Sequence, residues 1–431
     1  MKNYETTVLT TPYAQPDPFG ALAQPVYHSA AFEFPSAAAM SDAFCGRSPR
    51  HSYSRISNPT VQNFERRVAR YTGAMSVTAL NTGMAAISGS MLNLVQKGCN
   101  VITSRHLFGN TFSLLSRTLG QFGVEMRTAD LCNLKETERL IDENTCALFF
   151  EIITNPQMEV ADIAALAQMA HSHGVPVMAD TTIVPFTAFH AREFGVDIEL
   201  ISSTKYISAG ATGLGGLILD YGSFDWSQSP NSLLQQQSRR AGKKAAFTAR
   251  LKTEILTNLG IMMTPYEAYM QTLGLETLDI RFRRQASSAL WLAQQLTHEP
   301  RICRVNHTAL EGNPYHELSE RQFGPLPGAM LTIDLATRDE CFAFIDALKV
   351  IRRATNLFDH RSLAIHPAST IFGLFTPEER GEMDVLDTTV RLSIGLEDPA
   401  DLLDDIRQAL ESLSPALQPI PSPSSLSPTL P

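Results

Sequence analysis

The feature that most constrains this chain is an alternation of two patterns between residues 61 and 262. Apolar runs of strand length recur at MSVTAL (75–80), NVITS (100–104), ALFFEII (147–153), VPVMAD (175–180) and IELISS (198–203). They do not alternate polar with apolar as half-exposed strands do, so they suit strands buried on both faces of a parallel sheet. Helical patterns separate them: TGMAAISGSMLNLVQ, GNTFSLLSRTLGQFG and ADIAALAQMAHSHG. Strand and helix repeated in this way predict a doubly wound α/β fold. A helix with Val61, Phe64, Val68 and Tyr71 on one face precedes the first strand and should stop at Gly73.

Four segments follow from the composition. Residues 1–60, rich in Pro, Ser and Ala, predict an extended arm, and so long a segment without structure of its own implies a function or a covering partner. Residues 61–262 carry the sheet. Over 263–412 a long helical stretch, PYEAYMQTLGLETLDIRFRRQASSALWLAQQL, leads to AMLTIDLA, a further helix, SLAIHPAST and TTVRLSIGLE, which predicts a smaller α+β domain. Residues 413–431 read as a Ser/Pro-rich tail.

Charge and cysteine usage exclude several functions. With 35 Lys+Arg against 44 Asp+Glu, the net charge of −9 argues against nucleic acid as a partner. The six cysteines include no CxxC pair, so no metal site is expected. No apolar stretch approaches the ~20 residues of a membrane span, and the N-terminus carries no apolar core of signal-peptide length. A cytoplasmic protein with reduced thiols is expected.

In α/β sheets ligands bind beyond the carboxyl ends of the strands. Gly83 and Met84 open a helix there, and its free amides suit a phosphate. Asp180 ends an apolar run, where a carboxylate needs a partner or a turn to cap. Lys205, flanked by hydroxyls, either reaches water or is a desolvated amine suited to imine chemistry. A helix end with Ser202 and Thr204 for a phosphate, an acid for a ring nitrogen and a lysine for an imine together match the needs of pyridoxal phosphate.

The motifs YSRISNPT (53–60), NTGMAAI, Glu151–Pro156, ADTT, SSTKY, IHPAST and VRLSIGLED stand in the order found in the Cys/Met-metabolism family of pyridoxal-phosphate enzymes. The chain resembles that family from about residue 15 to 410. PDPFGALAQPVYHSAAFEF, GLETL, SLAIHPAST and RLSIGLEDPADL are most similar to the O-acetylhomoserine sulfhydrylases.

The resemblance implies a fold-type I pyridoxal-phosphate transferase, a large doubly wound mixed-sheet domain plus a smaller α+β C-terminal domain, with Lys205 as the catalytic, imine-forming lysine and Asp180 paired with the ring nitrogen. Gly83, Met84, Ser202 and Thr204 would hold the phosphate, with Tyr53 and Arg55 reaching in from a neighbouring subunit. Phe108 would stack on the ring, Asn155 would meet its hydroxyl, and Thr182 would join the cofactor site. Arg391, with Asn356, would bind the substrate carboxylate, a task that suits the planar guanidinium fork. The implied reaction is γ-replacement on O-acetyl-L-homoserine by sulfide or a thiol, in a homo-oligomer built as a dimer of dimers. The sequence does not separate acetyl from succinyl esters or name the sulfur donor.

Four positions depart from the family pattern. Phe108 stands where a tyrosine is usual, which keeps the ring and loses an acid. A carboxylate leaving group needs less protonation than a thiolate, so Phe108 favours an acyl ester over a thioether. Asn110 replaces the cysteine of methionine γ-lyases. Phe358, in a loop expected to line the substrate, stands where glycine is more common, and Thr181 replaces an asparagine. His171 and His173 point to different faces of one helix, His366 reads as structural, and GATGLGG (210–216) lacks dinucleotide-fingerprint spacing. The rival activities are a methionine γ-lyase or a cystathionine-type synthase or lyase. A rival of another class is a cofactor-binding protein without catalysis.

Overall fold

The computed structural model describes residues 3–14 and 17–413. Apart from Leu413, the Ser/Pro-rich tail lies outside the described residues. The strands are β1 (Ser76–Leu80), β2 (Asn100–Ser104), β3 (Glu125–Ala129), β4 (Thr145–Glu151), β5 (Val177–Asp180), β6 (Ile198–Ile201) and β7 (Gly216–Asp220) in one sheet. β8 (Arg304–Asn306), β9 (Met330–Asp334), β10 (Arg352–Arg353), β11 (Leu363–Ile365) and β12 (Thr389–Ser393) form a second.

The first sheet runs β1-β7-β6-β5-β4-β2-β3. Neighbours from β6 to β3 pair in parallel, and β7 runs antiparallel to both β6 and β1. The sheet is therefore mixed. Every residue of β2, β4, β6 and β7 is buried, as expected where helices cover both faces. Two strands lie outside the apolar runs. β3 (EMRTA) is an edge strand with only Ala129 buried, so it carries no apolar signature. β7 follows a glycine-rich turn that masks its short run, GLILD.

The helix before β1 spans Pro59–Thr72, with Asn58 as N-cap and Gly73 left-handed at its end. The stretch 265–296 is two helices, Pro265–Glu276 and Leu278–Leu296, separated at Thr277. The first carries a complete capping box from Thr264 and Glu267. The arm is less featureless than its composition implies. Tyr4–Leu9 is a short helix whose Tyr4 hydroxyl donates to the Leu275 carbonyl at 2.7 Å and whose ring meets Tyr71 edge-on. A second helix, Ala37–Phe44, buries none of its residues. Among the described residues no helix is long and apolar enough to cross a membrane.

The parallel strands end on one edge of the first sheet. The segments after β1, β2, β4, β5 and β6 gather there, and the loop 355–357 and β12 of the second sheet close over them.

Candidate active site

A cavity of about 270 Å³ lies at that edge. On the sheet side it is lined by Gly83, Met84, Asp180, Thr182, Ser202, Thr204 and Lys205, with Phe108, Glu151 and Asn155 alongside. Asn356 and Arg391 line the opposite side. The structure thus brings together all the sequence-derived candidates except Tyr53 and Arg55. Those two lie outside this cavity: Arg55 bonds the Thr257 carbonyl, lies 5.6 Å from the Tyr53 ring centroid, and lines a separate small pocket beside Glu65 and Lys252.

The helix Gly83–Leu94 begins directly after β1, capped by the Thr82 hydroxyl, which accepts from Ala85 N. The Gly83 and Met84 amides have no partner within the helix, and both residues line the cavity. A Cβ added at Gly83 would fall 2.6 Å from Ser202 Cβ and Oγ, so only glycine allows the helix end to sit against the Ser202 turn. Of the hydroxyls near this end, Thr182 accepts from Ser202 N at 2.8 Å. Thr204 accepts from Gly215 N and directs its proton at the Gly215 carbonyl. The Thr204 hydroxyl therefore already serves the turn, and it can donate to an anion only by giving up that bond.

Asp180 Oδ1 accepts from Thr182 N at 2.9 Å. Burial raises its pKa, opposed by Thr182 and by the charge of Lys205. Lys205 Nζ donates to Asn356 Oδ1 at 2.9 Å. Burial and the nearby Arg391 charge lower the lysine to about 8, against the pull of Asp180. Arg391 donates from Nη1 to Asn155 Oδ1 and from Nη2 to the Asn356 carbonyl, each at 3.1 Å. Its Nε has no partner. Burial alone pulls the guanidinium down to about 9, with no carboxylate opposing. A buried cation so placed is costly unless an anion joins it.

Glu151 lines the same cavity, and no role was assigned to it from the sequence. Parallel register sets it beside Asp180, and Oε1 accepts from Phe108 N at 2.6 Å. Burial first, and the Asp180 charge second, raise it to about 8. Its sequence signal was a carboxylate ending the run ALFFE. Phe358 corrects the expectation in the other direction. It is fully buried and does not line the cavity; its ring stacks on Tyr206 with centroids 4.0 Å apart. Asn110 is exposed and also lies outside the lining. Thr181 donates to the buried Glu199, away from the cavity. His366 bonds Ser369 and the Asp387 carbonyl, a structural role.

The family model for Cys/Met metabolism PLP-dependent enzymes matches residues 5–411. The chain belongs to this family. An L-methionine gamma-lyase of Pseudomonas putida is 33% identical over 418 residues, covering 96% of this chain and 98% of that protein. The O-acetyl-L-homoserine sulfhydrylase 1 of Thermus thermophilus is 33% identical, covering 94% and 99%. A Campylobacter jejuni structure described as an O-acetylhomoserine (thiol)-lyase with N'-pyridoxyl-lysine-5'-monophosphate superposes with a TM-score of 0.88 at 31% identity, covering 95% of this chain and all of that one. The O-acetylhomoserine sulfhydrylase of Wolinella succinogenes is 40% identical, with a TM-score of 0.73 and coverage of 83% and 99%.

The cavity of this pyridoxal-phosphate family member fits the cofactor. Glycine at 83 lets the helix start pack on the Ser202 turn, so the free amides of Gly83 and Met84 and the Ser202 hydroxyl belong to one part of the cavity lining, as a phosphate requires. Asp180 at the end of β5 and Lys205 in the turn after β6 are an acid and an amine of the kinds that the cofactor's ring nitrogen and aldehyde would require.

Proposed function

We propose that the chain is an O-acetylhomoserine sulfhydrylase. It would replace the γ-acetoxy group of O-acetyl-L-homoserine with sulfide or a thiol, releasing acetate and forming L-homocysteine or methionine. The unpartnered Nε of buried Arg391, with no opposing carboxylate, supports an amino-acid substrate, and the observation that carries the acyl-ester reading is Phe108 in the cavity lining where a tyrosine acid is usual.

Pyridoxal phosphate, when bound, supplies an electron sink for the charge left at the substrate's Cα. The Gly83 and Met84 amides and the Ser202 hydroxyl would bind its phosphate, with Thr182 supporting the turn. Asp180 would keep the ring nitrogen charged, Phe108 would give the ring an apolar face, and Asn155 would meet its hydroxyl. Arg391, steadied by Asn155 and Asn356, binds the substrate carboxylate through its guanidinium. Lys205, pulled to about 8, has an appreciable neutral fraction near neutral pH and takes the Cα proton. Acetate leaves without a strong acid, consistent with a phenylalanine at 108.

Tyr53 and Arg55 would complete the phosphate site of a neighbouring subunit, which would make the minimum working unit a dimer; the family resemblance supports a cytoplasmic homotetramer. Mixing inactive Lys205→Ala chains with inactive Arg55→Ala chains should restore activity if sites are shared; no recovery would refute the sharing.

The second reading is a methionine γ-lyase, supported by the relative from Pseudomonas putida. Phe108, in the cavity lining, weighs against it. The two are separated by an absorbance scan with product analysis during addition of O-acetyl-L-homoserine, with and without sulfide. Homocysteine formed only with sulfide supports the sulfhydrylase. Ammonia and a keto acid without sulfide overturn it in favour of the lyase.

A further inference from the structure

Phe358 holds a backbone conformation that bulky side chains avoid, with φ at 59°. Such positions persist only where the surroundings over-determine them, and they cluster at functional sites. Here the surroundings are specific. Phe358 N donates to Ser393 Oγ at 2.7 Å, which ties the residue to β12, the strand that carries Arg391. Its ring lies flat on Tyr206, with an interplanar angle of 3°.

Tyr206 is itself immobilised. Its carbonyl accepts from Arg281 Nη1 at 2.7 Å, its hydroxyl accepts from Ala329 N at 3.0 Å, and its ring meets Phe282 edge-on. It is also the residue after Lys205. The stack therefore joins the turn that carries the lysine to the loop that carries Asn356, two residues before Phe358. Asn356 receives Lys205 Nζ on its side chain and Arg391 Nη2 on its carbonyl. A ring that only filled core volume would not need a left-handed backbone.

We infer that Phe358 is a positioning residue: its stack on Tyr206 latches the Asn356 loop in the place where it orients both Lys205 and Arg391. This rests on the site reading given above and adds a residue to it. The left-handed conformation aims the ring back across the lysine turn, while the bond to Ser393 holds the loop against the arginine strand.

The test uses three variants. Phe358→Gly and Phe358→Asn accept a left-handed backbone and lack a ring; Phe358→His accepts it and keeps a planar ring. In the apoprotein, the pH dependence of Lys205 acylation, followed by peptide mass spectrometry, reads the amine directly. The charges facing it are Asp180 and Arg391, and Asn356 is its hydrogen-bond acceptor. Loosening the loop admits water to the amine and weakens the Arg391 charge on it, the two causes that lower it, so the Gly and Asn variants should raise the Lys205 midpoint by about half a unit or more. In the holoenzyme they should raise KM for O-acetyl-L-homoserine roughly tenfold with a smaller change in kcat, because Arg391 loses its orientation. The His variant should retain most of both properties.

Folded Gly and Asn variants with an unchanged Lys205 midpoint and KM would overturn the inference and leave Phe358 as core packing. If neither variant folds, Tyr206→Leu removes the opposite ring and carries the same expectation and the same refutation. The acylation titration uses no substrate, so it decides the latch even if the enzyme proves to act on another amino acid.

Discussion

The wall of the cavity that rises from the seven-stranded sheet carries Gly83, Asp180, Ser202 and Lys205 at or near the ends of strands and helices. The facing wall carries Asn356 in a loop and Arg391 at the centre of β12, paired across to Thr332 and Ile365. The first wall is held by short local bonds, Thr182 to Asp180 and Ser202 to Thr182. The second is held by contacts distant in sequence, Arg391 to Asn155 and Phe358 to Tyr206. The sheet side is thus fixed by backbone geometry and suits a resident group. The facing side depends on side chains from three elements, which suits a substrate that comes and goes.

The comparison makes ordered predictions. Lys205→Ala should abolish the imine absorbance and reduce turnover by at least about ten-thousandfold, since it removes both the attachment point and the base. Asp180→Asn should keep the band but reduce kcat by roughly a hundred- to a thousandfold, because a fixed charge at the ring nitrogen is lost. Arg391→Leu should raise KM about a hundredfold while the absorbance of the resting enzyme is unchanged. Loss of the band in that variant would break the division between the two walls.

The smallest effect concerns pH. Glu151 is raised in the folded chain from 4.5 to about 8, so folding favours its protonated form. That contribution is present at low pH and is lost as pH rises from about 4.5 through about 8. Glu199, raised to about 7, acts in the same sense. The melting temperature of the apoprotein should therefore fall between pH 5 and 8, and Glu151→Gln should flatten part of that fall. A parallel curve for the variant would show that Glu151 is not protonated there.

The sheet-side wall was the legible one. Strand-sized apolar runs ending at Asp180 and just before Ser202, and a glycine opening a helix, follow from local periodicity and turn chemistry. Three features were not legible. Glu151 took its meaning from its register with Asp180, which only strand pairing supplies. β7 is hidden behind glycines, so periodicity does not place its antiparallel pairs, and the mixed sheet is legible only through the family resemblance. The resemblance puts the Phe358 loop against the substrate, and Asn356 and Leu357 do line the cavity, yet the Phe358 ring, on a left-handed backbone, lies in the core.

The pairing of β1 with β7 bears on how the chain is made. Ser76 lies opposite Asp220 and Leu80 opposite Gly216, where an added Cβ would fall 2.1 Å from the Thr82 carbonyl. The start of the Gly83 helix thus rests on a strand synthesised long after it. Closing so distant a contact is slow, and no local turn substitutes for it. A half-made chain leaving the ribosome therefore has the helix without its seat, and the Gly83 end of the cavity takes shape only once β7 has emerged and docked.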